Sequence, residues 1–163
     1  MLCNSQRPMI SRSDLQQCLM DSARNVFRVT ADIVLKVSQC QLAGQQEGWL
    51  TALVGFEGSY CGVVALHCPQ SLARRTSAEM LCMGDELLLV DVFDAMGEIV
   101  NILSGDIKLF LDRRGRQVRL STPSVFVTDG DFREIFPSAS EAIACTLYAG
   151  DERLMIAVNI SDG

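Results

Sequence analysis

Histidine is almost absent from this chain: His67 stands alone among 163 residues. A metal centre built from several imidazoles is therefore excluded. The seven cysteines (Cys3, Cys18, Cys40, Cys61, Cys68, Cys82 and Cys145) include no C-x-x-C pair, and their number is odd. That usage predicts reduced, mostly buried thiols in a cytoplasmic protein rather than a disulfide framework. Basic charge is also in short supply, with 14 Lys and Arg against 20 Asp and Glu and a net charge of −6. No basic stripe is visible, which sets nucleic acid aside as a partner. No apolar run reaches the length of a membrane span, and the opening Met-Leu-Cys-Asn-Ser-Gln-Arg has no signal-peptide core. No membrane partner is expected.

What is present fits one globular domain with room for a core: 48% hydrophobic residues and 21% charged. Residues 1–12 read as a flexible polar tail and 13–163 as the folded domain. Ser13 or Asp14 can cap a helix running through Leu15, Leu19, Val26, Phe27, Ile33 and Val34. Trp49–Phe56 and Tyr60–His67 flank Glu57-Gly58-Ser59 and predict a hairpin. Pro69 suits the first turn of a short helix over 70–83, stopped at Gly84. A long helix is predicted from near Asp85 to near Arg114, where a basic last turn precedes Gly115. Strands follow at Gln117–Leu120, Ser124–Val127, Glu141–Tyr148 and Arg153–Ile160, with turns at Asp129-Gly130-Asp131 and Ala149-Gly150-Asp151.

This order hints at a duplicated unit. Asp21, Asn25, Arg28 and Asp32 in the first helix share the spacing of Asp94, Glu98, Asn101 and Gly105 in the long one, and the hairpin at Thr51–His67 parallels Ala144–Ile160. At the places of Glu98 and Asn101 the first copy has Asn25 and Arg28 instead. The expected class is α+β: an antiparallel sheet with two long helices and a shorter helix packed on it.

The long helix carries the most informative pattern. With Glu98 at zero on a helical wheel, Asp91 falls at about 20°, Asp94 at about 320°, Asn101 at about 300° and Gly105 at about 340°. Lys108 and Asp112 extend the stripe at about 280° and about 320°. Opposite lie Leu89, Val92, Phe93, Met96, Ile99, Val100, Leu103, Ile107, Phe110 and Leu111, a broad apolar face for a core. A polar stripe is ordinarily just a solvated face. Three details here ask for more. Gly97 and Gly105 lie inside the helix, each at a cost of about 1 kcal/mol relative to alanine. Gly105 lies on the stripe itself, where core packing cannot explain its smallness but a closely approaching partner would. Asn101 is a mediocre helix former on a surface open to better ones. Glu98 and Asn101 are i and i+3 and stand side by side. The carboxylate can pair with a cation, and the carboxamide offers a donor and an acceptor that could hold and aim a water. No strong nucleophile accompanies them, so covalent catalysis is not expected.

The segment Asp94-Ala-Met-Gly-Glu-Ile-Val-Asn-Ile-Leu-Ser-Gly-Asp-Ile-Lys108 resembles the signature helix of the CheC/CheX/FliY phosphatases, with their E-x-x-N pair at Glu98 and Asn101. Leu120-Ser-Thr-Pro123-Ser-Val resembles the strand entry that follows this helix, and Val54–Val64 with Pro69–Ala73 resembles the hairpin and second helix. The resemblance spans roughly residues 13–160. It implies a chemotaxis phosphatase that removes the aspartyl phosphate of a CheY-like receiver. In that reading Asn101 orients the attacking water, Glu98 pairs with the receiver's active-site lysine, and Asp94, Gly97, Gly105 and Lys108 contact the partner. It further implies no cofactor of the chain's own, with Mg²⁺ held by the receiver, and a homodimer; the sequence departs from the two-site CheC pattern, with Asn25 and Arg28 at the matching places of the first helix, so one active centre per chain is expected.

The alternative is a non-catalytic docking or adaptor module of the same fold, of the flagellar-switch kind; docking alone does not demand both Glu98 and Asn101. Small-molecule sensing finds no convergent polar cluster to support it. Other features weigh little. His67 and Cys68 are adjacent on a predicted strand and point to opposite faces. No G-x-S-x-G elbow exists to make a serine triad of His67. Asp129-Gly130-Asp131 lacks the spacing of a calcium loop, and Arg113-Arg114-x-Arg116 complements a helix C-terminus.

Overall fold

The computed structural model describes residues 10–37, 48–129 and 142–162. Helix α1 spans Arg12–Ala31. Its cap is Ser11, whose side-chain oxygen accepts from the Asp14 backbone N–H at 3.3 Å, not Ser13 or Asp14. Ile10 packs on the core, so the fold reaches back into the segment assigned to the tail. The helix ends before Ile33 and Val34. Asp32 takes a left-handed conformation at φ 51°, and the Ile33 N–H returns to the Phe27 carbonyl at 3.1 Å. Aspartate tolerates that conformation, and the two β-branched residues after it favour extended backbone. The chain leaves as an extended segment in which Lys36 bridges to Tyr148.

Strands β1 (Trp49–Gly58) and β2 (Tyr60–Pro69) form the hairpin, in register with Trp49 opposite Pro69 and Phe56 opposite Gly62. Helix α2 spans Gln70–Leu81. Its stop is Cys82 at φ 52°, two residues ahead of Gly84; the Met83 N–H closes onto the Ala78 carbonyl at 3.0 Å, and Met83 packs against the core. Helix α3 spans Leu89–Asp112, so it begins four residues later than Asp85. Residues 85–88 instead turn: the Leu87 N–H reaches the Gly84 carbonyl, Leu87 is buried, and Arg74 holds the Leu87 carbonyl at 3.3 Å. The Leu88 N–H then donates to Asp91 Oδ2 at 2.8 Å and opens the helix. Gly115, at φ 72°, lies in the turn after it.

Strands β3 (Val118–Leu120), β4 (Ser124–Thr128), β5 (Ile143–Ala149) and β6 (Glu152–Asp162) complete one antiparallel sheet. The order is β3-β1-β2-β6-β5, and β4 shares the outer edge of β1 with β3: β3 pairs Phe56–Gly58 and β4 pairs Trp49–Leu53. The turn predicted at Asp129-Gly130-Asp131 runs outside the described residues.

All three helices lie on one face of the sheet. Alternate strand residues, among them Leu50, Ala52, Val54, Leu66, Leu154, Ile156 and Val158, meet Leu19, Phe27, Met96, Ile99, Leu103 and Ile107 in a single buried core. The class is therefore α+β, as the order of elements predicted. The suspected duplication has a spatial counterpart. The hairpins meet where β2 pairs β6, with Ala65 opposite Ala157. Helix α1 lies on β5 and β6 while α3 lies on β1 and β2, so each long helix rests on the other half's hairpin.

Candidate functional site

Helix α3 is seated by its apolar face: Val92, Met96, Ile99, Val100, Leu103, Ile107 and Leu111 are all 1% exposed or less. At roughly 25 cal/mol per Å² of apolar surface, this row alone fixes the rotation of the helix about its axis. Rotation then decides the rest. Asp94, Glu98 and Asn101 are exposed, and Gly105 and Lys108 are half-buried at the rim.

Two lateral contacts hold this face, and neither is legible in the α3 sequence. On one side the segment between β3 and β4 closes on the helix. A Cβ placed at Gly97 would stand 3.6 Å from Pro123 Cβ and 3.6 Å from Val125 Cγ2. Gly97 is therefore a buried packing position under Pro123 and Val125, and the expectation that it touches a partner is corrected: the edge strand occupies that approach. On the other side the buried Ser22 of α1 donates to the Asp106 carboxylate.

Glu98 and Asn101 make no side-chain hydrogen bond or ion pair among the described residues, though each has ample hydrogen-bonding capacity. Gly105 is equally bare, with nothing within 4 Å of where a Cβ would sit. Its missing side chain has no intramolecular reason. Lys108 differs: its Nζ lies 2.6 Å from Asp112 Oδ2, one turn along the same helix. That hydrogen bond holds the Asp112 carboxyl below its ordinary range, and it turns the lysine along the helix instead of outward. A residue that the wheel could have flagged was missed: Leu109 falls at about 20° on the polar stripe and is 47% exposed.

The discarded features stay apart from this face. His67 is buried on the side of the sheet away from the helices, stacked 4.6 Å from Trp49 with its Nδ1 2.8 Å from Thr51 Oγ1. Cys68 points the other way into the core, and burial pushes its thiol up to about 12. Of the described cysteines, Cys68 and Cys145 are buried, Cys18 is half-buried, and Cys61 and Cys82 are exposed; Cys3 and Cys40 lie outside the described residues. Arg114 lies 3.5 Å over the Phe110 ring and donates to the Phe110 carbonyl, the helix-terminal role expected of it. No group of three or more metal-ligating side chains occurs among the described residues, and no helix described is long and apolar enough to cross a membrane.

What remains is an exposed carboxylate–carboxamide pair on a seated helix, next to a position without a side chain. No curated protein matches the chain by sequence. Solved structures match over nearly its whole length. The chemotaxis protein CheX from Desulfovibrio desulfuricans has a TM-score of 0.72 at 20% identity, covering 91% of this chain and 99% of that one. CheX from Vibrio vulnificus reaches 0.73 at 20% identity, covering 94% and 100%. A CheX chain from Borrelia burgdorferi, solved as a CheX–CheY–BeF3–Mg²⁺ complex, reaches 0.70 at 19% identity over 90% and 97%. The model of one family, described as chemotaxis phosphatase CheX, matches residues 50–147, which include all of β1 but its first residue, and the whole of β2, α2 and α3. This chain belongs to the CheX family of chemotaxis phosphatases.

Proposed function

We propose that this chain is a cytoplasmic phosphatase that hydrolyses the aspartyl phosphate of a CheY-like receiver in chemotaxis or a related two-component circuit. One observation carries the reading: Glu98 and Asn101 stand together on the open face of α3 with no partner among the described residues, beside a glycine that packing does not require. Helix α3 docks over the phosphorylated aspartate. Glu98 pairs with the receiver's active-site lysine and sets the register. The Asn101 carboxamide accepts from a water and aims it in line with the phosphorus. The water oxygen bonds to phosphorus, the bond to the aspartyl oxygen breaks, and inorganic phosphate and a free carboxylate are released. The receiver brings its own Mg²⁺, which offsets the charge on the phosphoryl oxygens; BeF3 and Mg²⁺ are part of the Borrelia complex. Asp94 and Gly105 line the contact, with the Lys108 stem at its edge. The chain itself works as a homodimer with one centre per copy.

Docking without chemistry would need the helix face but not this pair. The test is loss of phosphate from a ³²P-labelled receiver with and without the protein. Wild type accelerates it, and Asn101→Ala abolishes the acceleration while keeping much of the binding. An Asn101→Ala protein that clears the phosphorylated receiver as fast as wild type would sink the proposal.

A further inference from the structure

Leucine 109 is out of place where it stands. It lies on the polar stripe, one turn beyond Gly105, and is 47% exposed. Other apolar side chains of α3 are also exposed, namely Leu89 and Val90 with Leu88 just before them, but all three sit together where the helix begins. Leu109 has no such excuse. At its level the helix is still fully seated, with Ile107 at 1% and Leu111 at 0% exposure. A solvent-facing position in that turn would be served as well by lysine or glutamate, both good helix formers.

Its surroundings have the layout of an interface anchor. Toward the N-terminus, the bare Gly105 leaves a recess with nothing within 4 Å of a Cβ. To one side the ion pair of Lys108 and Asp112, 2.6 Å apart, forms a charged rim. An apolar knob with a polar margin has the layout of a contact surface, an apolar centre inside a polar rim. Leu109 is also continuous with the pair. At about 1.5 Å per residue, it lies about 12 Å from Asn101 along the axis and on the same side of the helix. A single domain of ordinary size, roughly 30 Å across, covers both at once.

We infer that Leu109, with the recess at Gly105, is the apolar anchor by which α3 grips the receiver, separate from the pair that acts on the phosphate. This rests on the reading above and extends it: affinity lies at the C-terminal part of the helix and chemistry at its middle. The receiver therefore offers an apolar surface beside its phosphorylation site, about 12 Å from the phosphoryl group.

The experiment compares Leu109→Ser and Leu109→Met with wild type and Asn101→Ala. The probe is the organism's CheY-type receiver, phosphorylated for kinetics and loaded with beryllofluoride and Mg²⁺ for binding. Leu109→Ser raises Kd and KM about tenfold, the effect of removing roughly half a leucine's apolar surface from a contact, and leaves kcat within about twofold. Leu109→Met restores both constants to near wild type, which a fold defect would not allow. The inference is overturned if Leu109→Ser binds as tightly as wild type, or if kcat falls while KM holds. It is overturned too if the substitution changes only self-association, measured by sedimentation, because the leucine would then belong to a contact between copies. If wild type itself releases no phosphate, the phosphatase reading falls first; if wild type is active and Leu109→Ser is unchanged, only the anchor falls.

Discussion

Helices α1 and α3 hold related places, each laid across the hairpin of the other half, and their polar stripes can be compared position by position. Asp21, Asn25, Arg28 and Asp32 on α1 stand where α3 has Asp94, Glu98, Asn101 and Gly105. On α1 the central pair closes on itself, with Arg28 Nη2 3.4 Å from Asn25 Oδ1. On α3 the pair has no partner among the described residues. The helices also end differently: α3 continues from Asn101 to Asp112, whereas α1 stops at Ala31, less than a turn past Arg28. Both stripes are exposed and both helices are well seated, so exposure does not separate them. Unsatisfied capacity does. The α1 pair spends part of its capacity on itself, whereas the α3 pair spends none among the described residues and has bare backbone beside it.

The widest gap expected between the two helices is catalytic. Asn101→Ala lowers the acceleration of receiver dephosphorylation by about a hundredfold or more, the scale of losing one oriented polar group at a reacting phosphoryl or acyl centre. Arg28→Ala, at the matching place on α1, leaves the rate within about twofold of wild type. Parallel decay curves for a labelled receiver measure both. Equal losses from the two substitutions would erase the distinction and make α1 a second working centre.

A smaller effect comes from the joint between the two helices. Ser22 donates to Asp106 across the α1–α3 contact, and Ser22 is buried. Ser22→Ala leaves that carboxylate short of a donor and destabilises the fold by about 1–3 kcal/mol, read from urea unfolding. Dephosphorylation per folded molecule stays near wild type, because α3 keeps its seat on the sheet. If unfolding is unaffected, the helices are held by apolar packing alone.

Gly105 sharpens the comparison in a different way, since its α1 counterpart is Asp32, which caps the helix end. Gly105→Ala meets nothing inside the molecule and raises stability by about 1 kcal/mol through helix propensity. The same methyl intrudes on the recess and lowers receiver affinity several-fold. Thermal melting and receiver titration should therefore move in opposite directions. A gain in both would mean that the glycine serves no contact.

How far the sequence foretold this site depends on the range of each interaction. Rotation of α3 was legible, because a broad apolar face with 3.6-residue spacing has one way to bury itself; hence the correct exposure of Glu98 and Asn101. The C-terminal stop was legible from Arg113, Arg114 and Gly115. The start was not. The residues 85–88 turn because Leu87 is buried and Arg74 of α2 takes its carbonyl, and no local signal announces a contact made by another helix. Gly97 failed for the same reason. It sits at the border of the two faces, and what decides its burial is a strand that arrives later in the chain, with Pro123 and Val125. Cys82 displaced Gly84 as the stop of α2 because the Met83 N–H and side chain found better places one turn back. The polar pair was thus readable from its helix alone, while the walls on either side came from tertiary contacts.

The smallest effect expected is none at all, and it tests whether the open pair suffices. Asn25→Glu with Arg28→Asn would give α1 the same two side chains at the same spacing. If a pair were enough, the double variant would gain a second centre, and the acceleration would rise toward twice that of wild type. Helix α1, however, ends too soon. Past Ala31 the backbone turns left-handed at Asp32, Ile33 goes into the core, and Lys36 is tied to Tyr148. Where α3 continues as helix through Gly105 and Leu109, α1 gives way to the non-helical segment Asp32–Val37, with Val34 61% exposed. A receiver laid along α1 would meet that segment before its phosphate reached the pair. Placed in an Asn101→Ala background, where any new activity stands out, the α1 double variant should remain inactive. Activity there would mean that two side chains at helical spacing make the whole site, and that the recess and the leucine beyond it are incidental.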